Sequence, residues 1–335
     1  MKKKIIKIKF LFKEIEIENW IKNHFVSILE KYYTVELSEK PEYIFYNSHE
    51  ELFLDYDCIR ISWTGENVRP NFNFCDYALG FDYLNFEDRY LRYPLYLLND
   101  WFIDKAVSKH LEINENEMKS KSKFCNFIVS NGFASEMRSI FFDLLSNYKI
   151  VDSGGKYKNN LGYFVDDKFK FQSQYKFTIC FENSSTSGYV TEKLIQAVAS
   201  CTIPIYWGDY NAFKPLSEGG GGINKKSLIS IHDYKSLDEV VQVVKKIDND
   251  QELYLSYLKE PFFLDNDHTT ILNTKLELFL KNIFDQPISS ASRRGFGQAR
   301  STIEKRYKEN LELNNTKNMI KELKKRMIKK LMFFK

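Results

Sequence analysis

The chain has 335 residues, 43% hydrophobic and 16% aromatic, with only 14 Gly and 7 Pro. That excludes a collagen-like or Pro/Gly-rich disordered polymer and leaves room for about two globular domains. The formal charge is +4, but residues 301–335 hold eleven Lys/Arg against four Glu, a local +7, so residues 1–300 net −3 and offer no broad nucleic-acid surface. Five cysteines, widely spread and never in C-x-x-C spacing, argue against a disulfide framework or a zinc knuckle and for a reducing cytosol.

Lys2–Lys4 open the chain as a signal peptide would, yet Lys7, Lys9 and Lys13 interrupt the apolar run that must follow, so no export signal is expected. No window approaches the ~18 apolar residues of a spanning helix, so membrane contact is expected to be peripheral. Ile6, Ile8, Phe10 and Phe12 alternate with Lys7, Lys9, Leu11 and Lys13, the period of a strand with one buried face. A helix over 18–32 and strands over 43–46, 58–63 and 76–80 follow, which predicts a first α/β domain over 1–115.

Residues 111–123, LEINENEMKSKSK, lose both aromatics and periodicity and mark a boundary. A second α/β domain over 122–285 then begins with a strand at 124–129 and a helix at about 134–148. Its clearest unit is strand 176–181, loop 182–188, helix 189–200 and strand 202–206, a crossover that implies parallel strands with a ligand at their carboxyl ends. Helical patterns at 236–248, 250–259 and 269–284 are expected to close this domain. Gly219–Gly222 reads as a flexible surface loop. Residues 286–335 read as a polar tail ending in a cationic helix, with Ile320, Leu323, Met327, Leu331 and Phe334 on one stripe.

The segment FTICFENSSTSGYVTEKLIQAVASCTIPIYWGD, 177–209, carries the sharpest chemistry. It delivers a strand end, a hydroxyl-rich loop and a helix N-terminus, whose free amides and positive dipole end suit a phosphate. Lys193 sits in the first helical turn, where a cation opposes the dipole unless an anion is bound, and Glu192 can accept two ribose hydroxyls. On pattern alone, the same residues equally describe a helix capped by Thr191 or Ser187 with a solvated lysine.

Phe177, Phe181-Glu182-Asn183-Ser184, Gly188-Tyr189-Val190-Thr191-Glu192-Lys193, Ala197 and Thr202-Ile203-Pro204-Ile205-Tyr206-Trp207-Gly208 closely resemble, in order, the donor motif of the α-1,3/1,4-fucosyltransferases of glycosyltransferase family 10. The blocks WTGENVRPNFNFCDYALGFDYL (63–84), RYLRYPLYL (89–97), SNGFASEMR (130–138) and DSGGKYKNNLGY (152–163) resemble the rest of the bacterial Lewis-type enzymes, so that the likeness covers most of 58–285. The resemblance implies a GT-B fold: two Rossmann-like domains facing across a cleft, here with a C-terminal helical tail. It also implies inverting transfer of L-fucose from GDP-fucose to the N-acetylglucosamine 3-hydroxyl of a lactosamine-type oligosaccharide.

By the same resemblance Glu66 is the base that takes the acceptor proton. Without it, a Glu beside Gly and Asn reads as an exposed turn residue. Should Glu66 fail in that role, Glu182 and Asp76 are the next carboxylates. Arg138, Lys193 and Tyr189 are expected at the donor phosphates, Glu192 at the ribose and Asn183 among the donor's hydrogen-bonding partners, with Lys158 and Tyr163 as further candidates. No metal or other cofactor is expected, and Asp55-Tyr56-Asp57 and Asp265-Asn266-Asp267 read as solvated turns. The tail stripe is expected either on an anionic membrane surface or packed on protein, including a homodimer. The first alternative makes the protein cytoplasmic and peripheral to the inner membrane, and no nucleic-acid partner is expected.

Overall fold

The computed structural model describes residues 2–12, 15–47, 52–113, 121–295 and 297–333, with no side chain described at 15–17, 112, 315, 318 or from 320 onward. The first sheet holds β1 (Lys4–Leu11), β2 (Tyr33–Leu37), β3 (Tyr43–Asn47), β4 (Ile59–Trp63), β5 (Tyr77–Gly80) and β6 (Tyr90–Arg92) in the order β2-β1-β3-β4-β5-β6. All its pairs are parallel. Helix α1 (Ile15–Leu29) buries Ile21 and Phe25 against Ile6, Ile8 and Phe45, with the Phe25 and Phe45 rings stacked at 5.0 Å. The alternation read in β1 is thus the inward face of the sheet.

Helix α2 (Asp100–Glu112) leads out of the first sheet, capped by the Asn99 side chain, which accepts from the Phe102 amide. The second sheet holds β7 (Lys123–Phe127), β8 (Val151–Ser153), β9 (Tyr175–Phe181), β10 (Ile203–Trp207) and β11 (Ile229–Ser230) in the order β11-β10-β9-β7-β8, again all parallel. Around it lie α3 (Met137–Ser146), α4 (Lys168–Gln172), α5 (Glu192–Ala199), α6 (Leu237–Asn249) and α7 (Gln251–Lys259). Phe127, Phe141, Phe181, Ile203, Val240 and Val244 form its core. The two α/β units expected from the alternation of patterns are therefore present. Most of the stretch that suggested a boundary, 114–120, lies outside the described residues.

Helix α8 (His268–Asp285) departs from the expectation that it closes the second domain. Its stripe Leu272, Leu276, Leu280, Ile283 and Phe284 packs with the first sheet, Phe284 meeting the Tyr43 ring at 4.4 Å. Tyr33 donates to Asp285 Oδ1 at 2.7 Å and Lys4 to the Phe284 carbonyl at 2.6 Å. An amphipathic stripe shows that a helix must be covered, not which sheet covers it. The last helix of the α/β run therefore returns to the first domain.

The next segment is a clasp rather than a free tail. After α9 (Ile288–Ala291), Arg294 Nε donates to Asp76 Oδ2 at 2.9 Å, and the Arg293 and Arg294 amides donate to Asp76 Oδ1 at 2.8 and 2.9 Å. Helix α10 (Gln298–Phe333) continues the contact: Glu304 pairs with Arg60 at 2.8 Å and Tyr307 meets Phe74 at 4.7 Å. The composition of 286–308 is polar because the segment pairs with charges of the first domain, of which Arg60 and Asp76 are buried and Asp55 and Asp57 are exposed. The apolar stripe expected over 320–334 falls outside the described side chains.

Gly219–Gly222 is also corrected. Only Gly219 is exposed; Gly220–Gly222 are buried. Their amides donate to the carbonyls of Pro215, Asn211 and Lys214. A Cβ on Gly220 would lie 2.2 Å from the Lys214 carbonyl oxygen, so the backbone's close approach requires glycine there.

Candidate active site in the cleft

The carboxyl end of β9 turns into Glu182, fully buried at 0% exposure. Its Oε1 accepts from the Thr191 amide at 2.8 Å, and its Oε2 from the Thr191 hydroxyl at 2.7 Å and from Lys193 Nζ at 3.3 Å. A strand-end carboxylate thereby fastens the start of α5, a more favourable place for an anion than anywhere else on that helix. Thr191 occupies the N-cap position but its side chain makes no cap bond, since its hydroxyl is committed to Glu182.

Lys193 also reaches Thr191 Oγ1 at 2.9 Å and Glu192 at 3.4 Å. Burial acts to lower its pKa, but the neighbouring carboxylates Glu182 and Glu192 outweigh this and hold it above the ordinary lysine value. Burial likewise acts to raise the Glu192 pKa, and Lys193 and Lys168 bring it below the usual carboxylate value. Lys168, on α4, donates to Gln196 Oε1 at 2.6 Å and has its own pKa lowered by burial. It belongs to this charged group, although nothing in the sequence around it signals as much.

Arg138, 1% exposed, sends Nε and Nη2 to the Phe181 carbonyl at 3.2 and 2.7 Å, and Nη1 to the Asn131 carbonyl at 3.4 Å. It ties the β9 end to the loop before α3, and burial lowers its pKa. Its side chain also lines a cavity of about 310 Å³ with Asn131, Gly132, Ser135 and Tyr157. The Asn183 carbonyl accepts from the Ser135 amide at 3.2 Å, closing the same corner.

Glu66 comes from the other domain. It follows β4 and Thr64-Gly65, its amide bonding to Thr64 Oγ1 at 3.1 Å, and its side chain is exposed to the cleft. Across the cleft Tyr189, 2% exposed, donates its hydroxyl to Glu66 Oε2 at 3.4 Å. Burial drives the tyrosine pKa upward, so the phenol stays protonated as that donor. Gly188 makes the approach feasible: at φ +87° it lies where a Cβ would be 2.3 Å from the Phe81 carbonyl oxygen of the first domain. Between the domains, Trp20, Trp63, Glu66, Tyr96, Phe102 and Glu192 line a second cavity of about 260 Å³. A carboxylate beside apolar and aromatic walls suits a sugar hydroxyl that must lose a proton.

The fold thus brings together Glu66, Arg138, Tyr189, Glu192 and Lys193, with Asn183 at the same strand end. Lys158, at φ 52°, pairs with Asp143 Oδ1 at 2.5 Å on the outer side of α3, and Tyr163 is an exposed loop residue. Among the described residues neither touches that group. The two reserve carboxylates are both buried and already engaged, Glu182 with Thr191 and Lys193, Asp76 with Arg294, so neither faces the cleft as Glu66 does. Asp55 and Asp57 pair with Lys308 and Arg300. No cluster of three or more His, Cys, Asp or Glu side chains suited to a metal occurs among the described residues.

Residues 10–99 match the alpha-(1,3)-fucosyltransferase FucT N-terminal domain, and residues 118–271 match glycosyltransferase family 10 (fucosyltransferase) C-term. The chain is 36% identical over 281 residues to the Helicobacter pylori alpha-(1,3)-fucosyltransferase FucT, covering 73% of this chain and 57% of that one. It is 31% identical over 147 residues to the human 4-galactosyl-N-acetylglucosaminide 3-alpha-L-fucosyltransferase 9, covering 42% of this chain and 38% of that one. It spans about half the length of the curated relatives it matches. A crystal structure of an alpha1,3-fucosyltransferase with GDP-fucose superimposes with a TM-score of 0.67 at 31% identity, over 86% of this chain and 93% of that one.

Proposed function

The chain belongs to glycosyltransferase family 10, the fucosyltransferases, and from that premise we propose that it transfers L-fucose from GDP-fucose to the 3-hydroxyl of N-acetylglucosamine in lactosamine-type, Lewis-antigen glycans such as those of lipopolysaccharide. The observation that carries the reading is the meeting, across one cleft, of the carboxylate Glu66 with the cationic group around Lys193. In a single inverting displacement the acceptor oxygen attacks the fucose anomeric carbon, the bond to GDP breaks, and the acceptor proton passes to Glu66. Lys193, Arg138 and the amides at the start of α5 offset the charge that gathers on the departing diphosphate, without need of a divalent cation. Tyr189 and Asn183 complete the donor site, and Glu192 accepts the ribose hydroxyls. The apolar cavity between the domains receives the acceptor sugar.

Two measurements test the donor half. GDP-fucose should raise the melting temperature while UDP-sugars and DNA should not; equal stabilisation by UDP-sugars would contradict the reading. Lys193→Ala should weaken GDP binding by roughly tenfold to over a hundredfold, since a charge-assisted contact contributes about 1.5 to 3 kcal/mol. Unchanged GDP affinity by calorimetry would remove Lys193 from the donor site. Arg138 is a poorer probe, because it also holds the β9 end.

No helix among the described residues is long and apolar enough to cross a membrane. We infer a cytoplasmic protein peripheral to the inner membrane, held through the lysine-rich end of the chain on anionic headgroups. Deleting 316–335 leaves the clasp through Lys308 intact, so the truncated protein should stay folded and active on soluble acceptors while no longer sedimenting with anionic vesicles. Unchanged sedimentation, or loss of a dimer, would instead favour packing on protein.

A further inference from the structure

We infer that Asn67 is a positioning residue for the base: it ties the loop carrying Glu66 to the hydroxyl-rich loop of the second domain. The inference rests on Glu66 acting as base in the proposed transfer. Glu66 lies on an irregular segment after β4, and among the described residues the hydrogen bond that ties its side chain to the second domain is the 3.4 Å one from Tyr189. A carboxylate held by so long a bond, on a loop outside the sheet, is weakly oriented by itself.

The next residue supplies the missing restraint. Asn67, half-buried, donates from Nδ2 to Ser184 Oγ and to Thr186 Oγ1, the latter at 2.7 Å. Both partners lie in the loop between β9 and α5, and that loop is itself fixed. Ser185 donates to the Gly208 carbonyl at 2.7 Å, and Asn211 donates to Ser187 Oγ at 2.9 Å. The tether therefore runs from the base, through one amide, to a loop fastened at the end of β10. Opening the cleft would break both bonds and release the base-bearing loop, so the base is oriented only while the domains are closed on each other. Swapping the amide's oxygen and nitrogen would leave the tether in place, because Ser and Thr hydroxyls both donate and accept.

The test is a set of kinetic cycles on the full chain with GDP-fucose and N-acetyllactosamine. Asn67→Ala should lower kcat about tenfold, the scale of losing two hydrogen bonds, with the GDP-fucose KM within about twofold of wild type. Ser184→Ala/Thr186→Val should reproduce that loss from the other end of the tether, and adding Asn67→Ala to it should cost little more. In a Glu66→Gln background, where no base remains to be oriented, Asn67→Ala should change kcat by less than about twofold. A structural role unconnected with the base would carry its full loss into that background. That additive result, or a raised donor KM at unchanged kcat, overturns the inference while leaving the transfer itself standing. A wild-type chain that transfers no fucose overturns the functional reading, and this inference with it.

Discussion

Glu66→Gln should fold as the wild type does, bind GDP-fucose with unchanged affinity, and lose at least about a hundredfold in kcat. A sugar hydroxyl is a weak nucleophile at neutral pH, and a positioned base contributes roughly 10² to 10⁴ in rate. Glutamine keeps the size of the side chain and can still accept from Tyr189, but it cannot take the proton. The fold should not notice the change, because Glu66 is exposed and the hydrogen bond its side chain accepts from Tyr189 is one that glutamine also accepts. With Glu182 and Asp76 both buried and occupied, a variant of near-wild-type kcat would leave the proposed mechanism without a base.

Asp76→Ala should have the largest effect on stability. Asp76 is 0% exposed and accepts four bonds: from the Arg60 amide at 2.9 Å, the Arg293 and Arg294 amides, and Arg294 Nε. Removing it leaves the buried Arg294 guanidinium with the more distant Glu304 carboxylate, at 3.5 Å, in place of the one at 2.9 Å, and loosens the clasp that holds 288–308 against the first domain. Breaking a buried pair from one side costs about 3 to 5 kcal/mol. The loss can be followed by urea unfolding with tryptophan fluorescence, since Trp20, Trp63 and Trp101 belong to the first domain's elements. A midpoint within error of the wild type would show that the clasp is dispensable.

The strands and the crossover around the donor motif were legible because their signals are local. β1 alternates, β9 is mostly apolar and β10 a continuous apolar run, and the loop between β9 and α5 is rich in hydroxyls. Glu66, Arg138 and the Tyr189–Lys193 run came from a family resemblance, since spacing alone left a capped helix and an exposed turn as good readings. The features that stayed hidden depend on partners far away in sequence. The stripe of α8 does not reveal that it packs on β3, nor does SRR at 292–294 reveal a buried carboxylate more than two hundred residues earlier. Four glycines read as floppy until the chain is seen pressed against Lys214 and Ala212. Asn67 shares the Glu66 motif, yet its value lies in two hydroxyls across the cleft.

The most direct test of the proposed activity is to incubate the purified chain with GDP-fucose and a small panel of lactosamine isomers, before and after EDTA treatment, and to read the product linkage by NMR. The account predicts an α-linked fucose on the 3-hydroxyl of N-acetylglucosamine, formed at the same rate in both arms. Fucose on any other hydroxyl, no transfer at all, or activity that EDTA abolishes and Mn²⁺ restores would contradict it.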